Sequence, residues 1–83
     1  MKYERVLVLQ GKMKMVLQDF KEKRPAVSLL KMAKHSGISG QTFYAIMGEK
    51  NTPSQATCMA IVKEMARYGY NVEQELWGNE SNA

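Results

Sequence analysis

The side chains of this chain best suited to chemistry lie in residues 39–52, and that chemistry is recognition rather than bond breaking. Gln41 carries an amide that both donates and accepts, Tyr44 a phenol three positions on, and Ser39 and Thr42 hydroxyls, with Gly40 and Ala45 adding almost no bulk between them. The arrangements needed for catalysis are absent from the sequence: no Ser/His/Asp set, no Cys/His pair at a credible spacing, no glycine-rich loop before a lysine, and no paired carboxylates. We expect no enzyme. The only histidine, His35, and the only cysteine, Cys58, make neither a metal site nor an internal disulfide, so no metal and no cofactor is expected. His35 reads as an exposed helix residue and Cys58 as a small, half-buried hydrophobe.

Three short elements must position those side chains. Ser28 is a natural N-cap for a helix reaching to about residue 36, with Leu30 and Ala33 inward and Gly37 as a left-handed stop. Ser39 then caps a helix over 40–47 whose inward residues are Phe43 and Ile46, and Gly48 closes it. That phase turns Gly40, Gln41, Tyr44 and Ala45 outward. Two helices separated by about three residues meet at a steep angle, and the small Ala33 lets them approach, which is a helix-turn-helix pattern. A polar loop, 49–52, follows before Pro53.

The remaining elements are scaffold. Val6, Leu9, Met13, Val16 and Phe20 recur at steps of three and four with Leu17 beside them, one stripe of an amphipathic helix. Gly11 weakens a continuous helix by about 1 kcal/mol, so residues 1–9 are read as an N-terminal arm or a helix extension, with a weak strand signal at 6–9. Pro25 ends that helix. Ser54 or Thr52 caps a fourth helix to about residue 68, its apolar side drawn from Ala56, Met59, Ala60, Val62, Lys63 and Ala66 and broadened by Ile61 and Met65; Gly69 stops it. Asn71 caps a last helix over 72–77, and 78–83 reads as a flexible tail. The expected fold is all-α: a small bundle of about five helices, one domain over 10–77.

Composition sets the class of partner. With 83 residues and 45% hydrophobic content, the chain has material for one core. No apolar run approaches the roughly 18–20 residues that span a bilayer, and no signal-peptide pattern is present. Seven methionines without a cysteine pair suit a reducing cytoplasm. Net charge is +4, and nine of the twelve Lys and Arg fall in residues 1–34. An anionic partner on the N-terminal side is one reading of this; lysines that keep the chain soluble are the other.

Nucleic acid fits the outward face of residues 40–47. An amide such as that of Gln41 donates to and accepts from adenine at once; Tyr44 has reach for a base edge, a thymine methyl or a phosphate, and Ala45 for a thymine methyl, while Gly40 permits close approach. Ser39 and Thr42 suit phosphate oxygens at a helix N-terminus.

The segment LLKMAKHSGISGQTFYAIMGEKNTPS, residues 29–54, resembles the helix-turn-helix core of the phage lambda repressor and Cro family, also called XRE-like regulators. Ala33 matches the middle of the second helix, GIS at 37–39 the turn, QTFYAI at 41–46 the recognition helix, and Pro53–Ser54 the opening of the fourth helix; the resemblance extends over about 10–77. It implies a sequence-specific, double-stranded DNA-binding transcriptional regulator, a Cro-like or small repressor of a phage, plasmid or other mobile element, that binds its operator as a homodimer. It further implies backbone contacts from Lys50, Asn51 and Thr52, and a dimer contact near the last helix from Val72, Leu76 and Trp77. The sequence departs from the family at Leu29, where a phosphate-binding glutamine is frequent, and at Met47, where a glutamate is frequent. The recognition segment carries no Lys or Arg. A second reading is a protein-interaction module on the same fold, an antitoxin or antirepressor, with Met47, Met65 and Trp77 as its surface.

Overall fold

The computed structural model describes the backbone of residues 2–81 and the side chains of residues 2–78. Among the described residues there are five helices and no strand: α1 (Tyr3–Lys23), α2 (Leu29–His35), α3 (Gly40–Met47), α4 (Gln55–Ala66) and α5 (Val72–Ser81). No described helix is long and apolar enough to cross a membrane.

The stripe Val6, Leu9, Met13, Val16, Leu17 and Phe20 is the buried face of α1. Because Val6 and Leu9 belong to that stripe, burial carries the helix through Gly11 to Tyr3, so that of the segment 1–9 residues 3–9 are helix in place of an extended arm or strand, Lys2 is an extended N-cap, and residue 1 lies outside the described residues. At its other end, Pro25 drives Arg24 out of the helical region, and α1 stops at Lys23. Side-chain oxygens of Ser28, Ser39 and Ser54 cap α2, α3 and α4, each accepting from the backbone N–H three residues on, and the Asn71 side chain does the same for α5.

Two expectations fail at α4 and α5. The buried side of α4 is Cys58, Ile61, Glu64 and Met65, while Ala56, Met59, Lys63 and Ala66 are exposed. The helix is apolar on most of its sides, so sequence does not rank them, and its buried side carries a carboxylate, Glu64, 3.5 Å from Arg67 and bordering the same surface recess as His35 and Ser36 of the α2 end. Cys58 is fully rather than half buried. The backbone of α5 breaks at Trp77 (φ −131°), where a helix end was expected, but the chain then makes a further turn to Ser81. Of the segment expected as a tail, 78–83, the backbone is helical to Ser81, and residues 82 and 83 lie outside the described residues.

Three helices end in the same hydrogen-bond pattern, a 6→1 bond enclosing a 5→2 bond around one left-handed residue: Ile38 N to Ala33 O, Lys50 N to Ala45 O, and Tyr70 N to Met65 O. The left-handed residues are Gly37, Glu49 and Gly69. Gly48, read from sequence as the stop of α3, has φ −87° and does not supply it; Glu49 does, at φ +55°. A residue with a Cβ is disfavoured there by roughly 1–2 kcal/mol. We expect Glu49→Gly to raise stability by about 1 kcal/mol, or a few degrees in Tm. Thermal unfolding followed by circular dichroism checks this.

A polar cluster joins α1 to the α4–α5 turn. Tyr70, buried, donates to Asp19 at 2.6 Å; Lys23 pairs with Asp19 at 3.2 Å and with Glu75; and Arg24 Nε donates to the carbonyl of Tyr68 at 2.9 Å. The Tyr70 bond, followed by Lys23 against an opposing desolvation, holds the Asp19 carboxyl below its usual range. Burial, and then the bond to Asp19, pushes the Tyr70 phenol up; Glu75, and then Asp19, raises Lys23. Burial pushes the Cys58 thiol up to about 11. Groups raised on folding stabilise fully below their unfolded values and lose that contribution as pH rises through the folded ones, whereas Asp19 loses its own as pH falls through its depressed value. Stability is thus expected to fall from about pH 9 upward. Tyr70→Phe should make the alkaline limb of a Tm–pH curve shallower.

Candidate functional site

The exposed side of α3 is where the recognition chemistry was expected. Phe43 and Ile46 are buried beneath it. Gln41, Thr42 and Tyr44 are exposed, Tyr44 to 61%, and Ala45 is half-buried at the edge. Gln41, Tyr44 and Ala45 share one face by their spacing of three and four. The Tyr44 ring stands edge-on to Phe43 at 5.4 Å, so the core partly fixes its direction.

The N-terminal end of α3 is held by hydroxyls. Ser39 Oγ accepts from the Thr42 backbone N–H at 3.1 Å and lies 3.0 Å from the Thr42 hydroxyl. Gly40 is packed otherwise than expected. A side chain there would point at Leu30 (3.6 Å) and at the Lys34 stem (3.7 Å), so its lack of bulk serves the approach of α2 and α3 and leaves only backbone for an outside partner. The same geometry sets Lys34 beside the helix start.

After α3, Lys50, Asn51 and Thr52 are all exposed. They border an open cleft of about 320 Å³ against α1, whose other wall includes Gln10 and Lys14. Gln10 donates to the Pro53 carbonyl at 3.0 Å, and the Glu49 carboxylate lies 4.0 Å from Lys14. Lys14 and Lys34 are the residues sequence reasoning missed. Each sits on a different helix from Gln41, and in the sequence they registered only as net charge.

Four of the nine basic residues of 1–34 are engaged within the chain at its surface. Arg5 pairs with Glu73, Lys23 with Glu75, Lys21 donates to the carbonyls of Pro25 and Val27, and Arg24 to those of Tyr68 and Gly69. These four tie α1 to the turns and to α5, whereas Lys2, Lys12, Lys31 and Lys34 are exposed.

The residues expected at a dimer contact are also engaged internally. Val72 is buried in the core, Leu76 packs against it, and Trp77 lies under the Arg5 guanidinium, 4.9 Å from ring centroid to Arg5 Cζ. Of the residues named for a protein-interaction module, Met65 is buried and Met47 and Trp77 are half-buried.

No group of three or more metal-ligating side chains exists among the described residues. No family model, curated protein or solved structure matches the chain.

Proposed function

We propose that the chain is a sequence-reading, double-stranded DNA-binding transcriptional regulator of the Cro-like or small-repressor kind, with α2, the turn at 36–39 and α3 acting as its helix-turn-helix. The observation that carries this reading is the exposed face of α3: a glutamine amide, a hydroxyl and a phenol, uncharged and uncovered, on a helix whose other side is locked into the core by Phe43 and Ile46. A solvated surface has no need of that combination. A major groove can use it, because a glutamine amide pairs with both polar atoms of an adenine edge and small or aromatic side chains meet a thymine methyl, while hydroxyls and backbone N–H groups at the helix start hold phosphate.

In this reading α3 enters the major groove N-terminal end first. Gln41 pairs with an adenine edge, and Tyr44 and Ala45 meet the neighbouring base or a thymine methyl. Ser39 and Thr42, with the helix dipole behind them, hold one phosphate run. Lys50, Asn51 and Thr52 hold the other, with Lys34 as an added cation beside the start of α3. Occupying an operator as a homodimer excludes polymerase. The rival reading, an antitoxin or antirepressor that sequesters another protein, keeps Met47 and Trp77 as half-buried surface residues and loses Met65 to the core.

Backbone contacts have a direct test. Lys34→Gln and Lys50→Gln should each reduce the slope of log K against log salt by about 1, lowering affinity for all sequences alike. Anisotropy titrations of one duplex at several salt concentrations read this, and a slope unchanged by both substitutions counts against the docking.

A further inference from the structure

The longest exposed apolar surface lies on neither α3 nor α5. Leu7 (46%), Val8 (43%) and Met15 (47%) stand on the outer side of α1, away from its buried stripe, and Tyr3 (63%) stands at the flank of that side. Tyr3, Leu7, Gly11 and Met15 follow one another at intervals of four, so they form a single ridge with Gly11 in its middle. Nothing lies within 4 Å of where a Gly11 side chain would be. A helix that accepts a glycine in its interior gives up about 1 kcal/mol against alanine, and here the fold makes no use of the missing methyl. A second backbone crossing at that point would.

We propose that this ridge is a self-association surface, at which α1 of one copy crosses α1 of a second copy antiparallel, Gly11 on Gly11. The proposal rests on the DNA-binding reading for its use but on α1 for its evidence. Leu7 and Met15 flank Gly11 by one turn on either side, so a two-fold axis through the crossing sets Leu7 of each copy level with Met15 of the other, and Val8 level with the aliphatic stem of Lys14. The contact is self-complementary, as a closed dimer requires, and ridges at intervals of four interdigitate at the commonest helix-crossing angle.

Charge selects the direction. Side by side in parallel, Glu4 would lie level with Glu4 and Lys14 with Lys14. Antiparallel, Glu4 comes level with Gln18, the two Lys14 side chains separate by six residues, about 9 Å along the helices, and the helix dipoles oppose. Lys14 is further offset by Glu49 of its own chain.

The same axis has a consequence for function. Around α1, Gln10 and Lys14 face the loop that follows α3, whereas Arg5, Asp19 and Lys23 face α5 and the turn before it, on the other side of the ridge. A two-fold perpendicular to α1 and lying in the contact keeps each side with its counterpart. Both 49–53 loops then fall on one face of the dimer and both α5 helices on the other, which is what two copies reading one duplex need.

Sedimentation equilibrium on the full chain tests this, comparing wild type with Leu7→Glu/Met15→Glu and with Gly11→Leu. All three side chains point outward, so circular dichroism should show the same helix content in every variant. The wild type should be a dimer, and both variants should weaken dimerisation about 100-fold or more, since each buries a charge or fills the crossing. Variants with one added, exposed cysteine fix the register, since the native Cys58 is buried: Leu7→Cys mixed with Met15→Cys should give the 7–15 cross-link in preference to 7–7 or 15–15. A wild-type monomer overturns the proposal and leaves the ridge to a different protein; a dimer that both variants leave intact, or 7–7 cross-links, overturns it as well. A dimer sensitive to these variants but indifferent to DNA sequence would instead sink the regulatory reading and keep the surface.

Discussion

Phe20→Ala should lower unfolding stability by about 3–5 kcal/mol, the largest loss we expect from one side chain outside the candidate site. Phe20 is fully buried on α1 and meets two other rings edge-on, Tyr68 at 5.8 Å and Tyr70 at 5.2 Å. Truncation empties the place where α1, the end of α4 and the turn into α5 converge, and it removes two ring contacts worth roughly 0.5–1.5 kcal/mol each beyond area burial. A domain of this length has roughly 4–12 kcal/mol in total, so the variant should be partly unfolded at 37 °C. Phe20→Leu, which keeps most of the volume, should cost much less. Urea unfolding of the three proteins decides it, and equal midpoints for alanine and wild type would mean that the aromatic cluster is not the keystone of the α1–α4 contact.

Gln41→Ala carries the largest functional effect. Gln41 is exposed and touches no part of the core, so stability should stay within about 0.5 kcal/mol of wild type. A bidentate amide–adenine contact contributes about 1–3 kcal/mol of discrimination, and its loss should reduce preference for the cognate duplex by about 5- to 150-fold while affinity for unrelated duplex hardly changes. Tyr44→Ala should show a smaller loss, divided between specific and general affinity. Competition binding with cognate and scrambled duplex measures both. A Gln41→Ala protein with undiminished preference would move base reading to another residue.

How much of this was legible in the sequence depends on whether a signal is local. The caps at Ser28, Ser39 and Ser54 and the left-handed Gly37 and Gly69 are local chemistry, and each sits where its residue type demands. The α1 stripe was equally plain, since five of its positions share one period. What escaped was everything set by distant partners. The buried side of α4 is chosen by what α1 and α2 present to it, and a helix apolar on most sides leaves no trace of that choice. Tyr70, fully buried and bonded to Asp19 across 51 positions, follows Gly69 in a turn whose local sequence gives no sign of either. Glu49 was hidden by the glycine before it. At the candidate site the neutral outer face of α3 was readable because Phe43 and Ile46 set its phase, whereas Lys14 and Lys34 reach it from other helices. Val72 was misjudged for a general reason: an apolar residue on a terminal helix signals burial without saying in which molecule.

The most direct measurement is fluorescence anisotropy on duplex DNA from the region upstream of the protein's own coding sequence and on the same duplex scrambled, each at low and at physiological salt. A regulator that reads bases through α3 keeps a clear preference for the native duplex when salt has removed most of the backbone attraction. Equal affinities that vanish together as salt is added would contradict it, leaving only the general attraction of a basic protein for a polyanion.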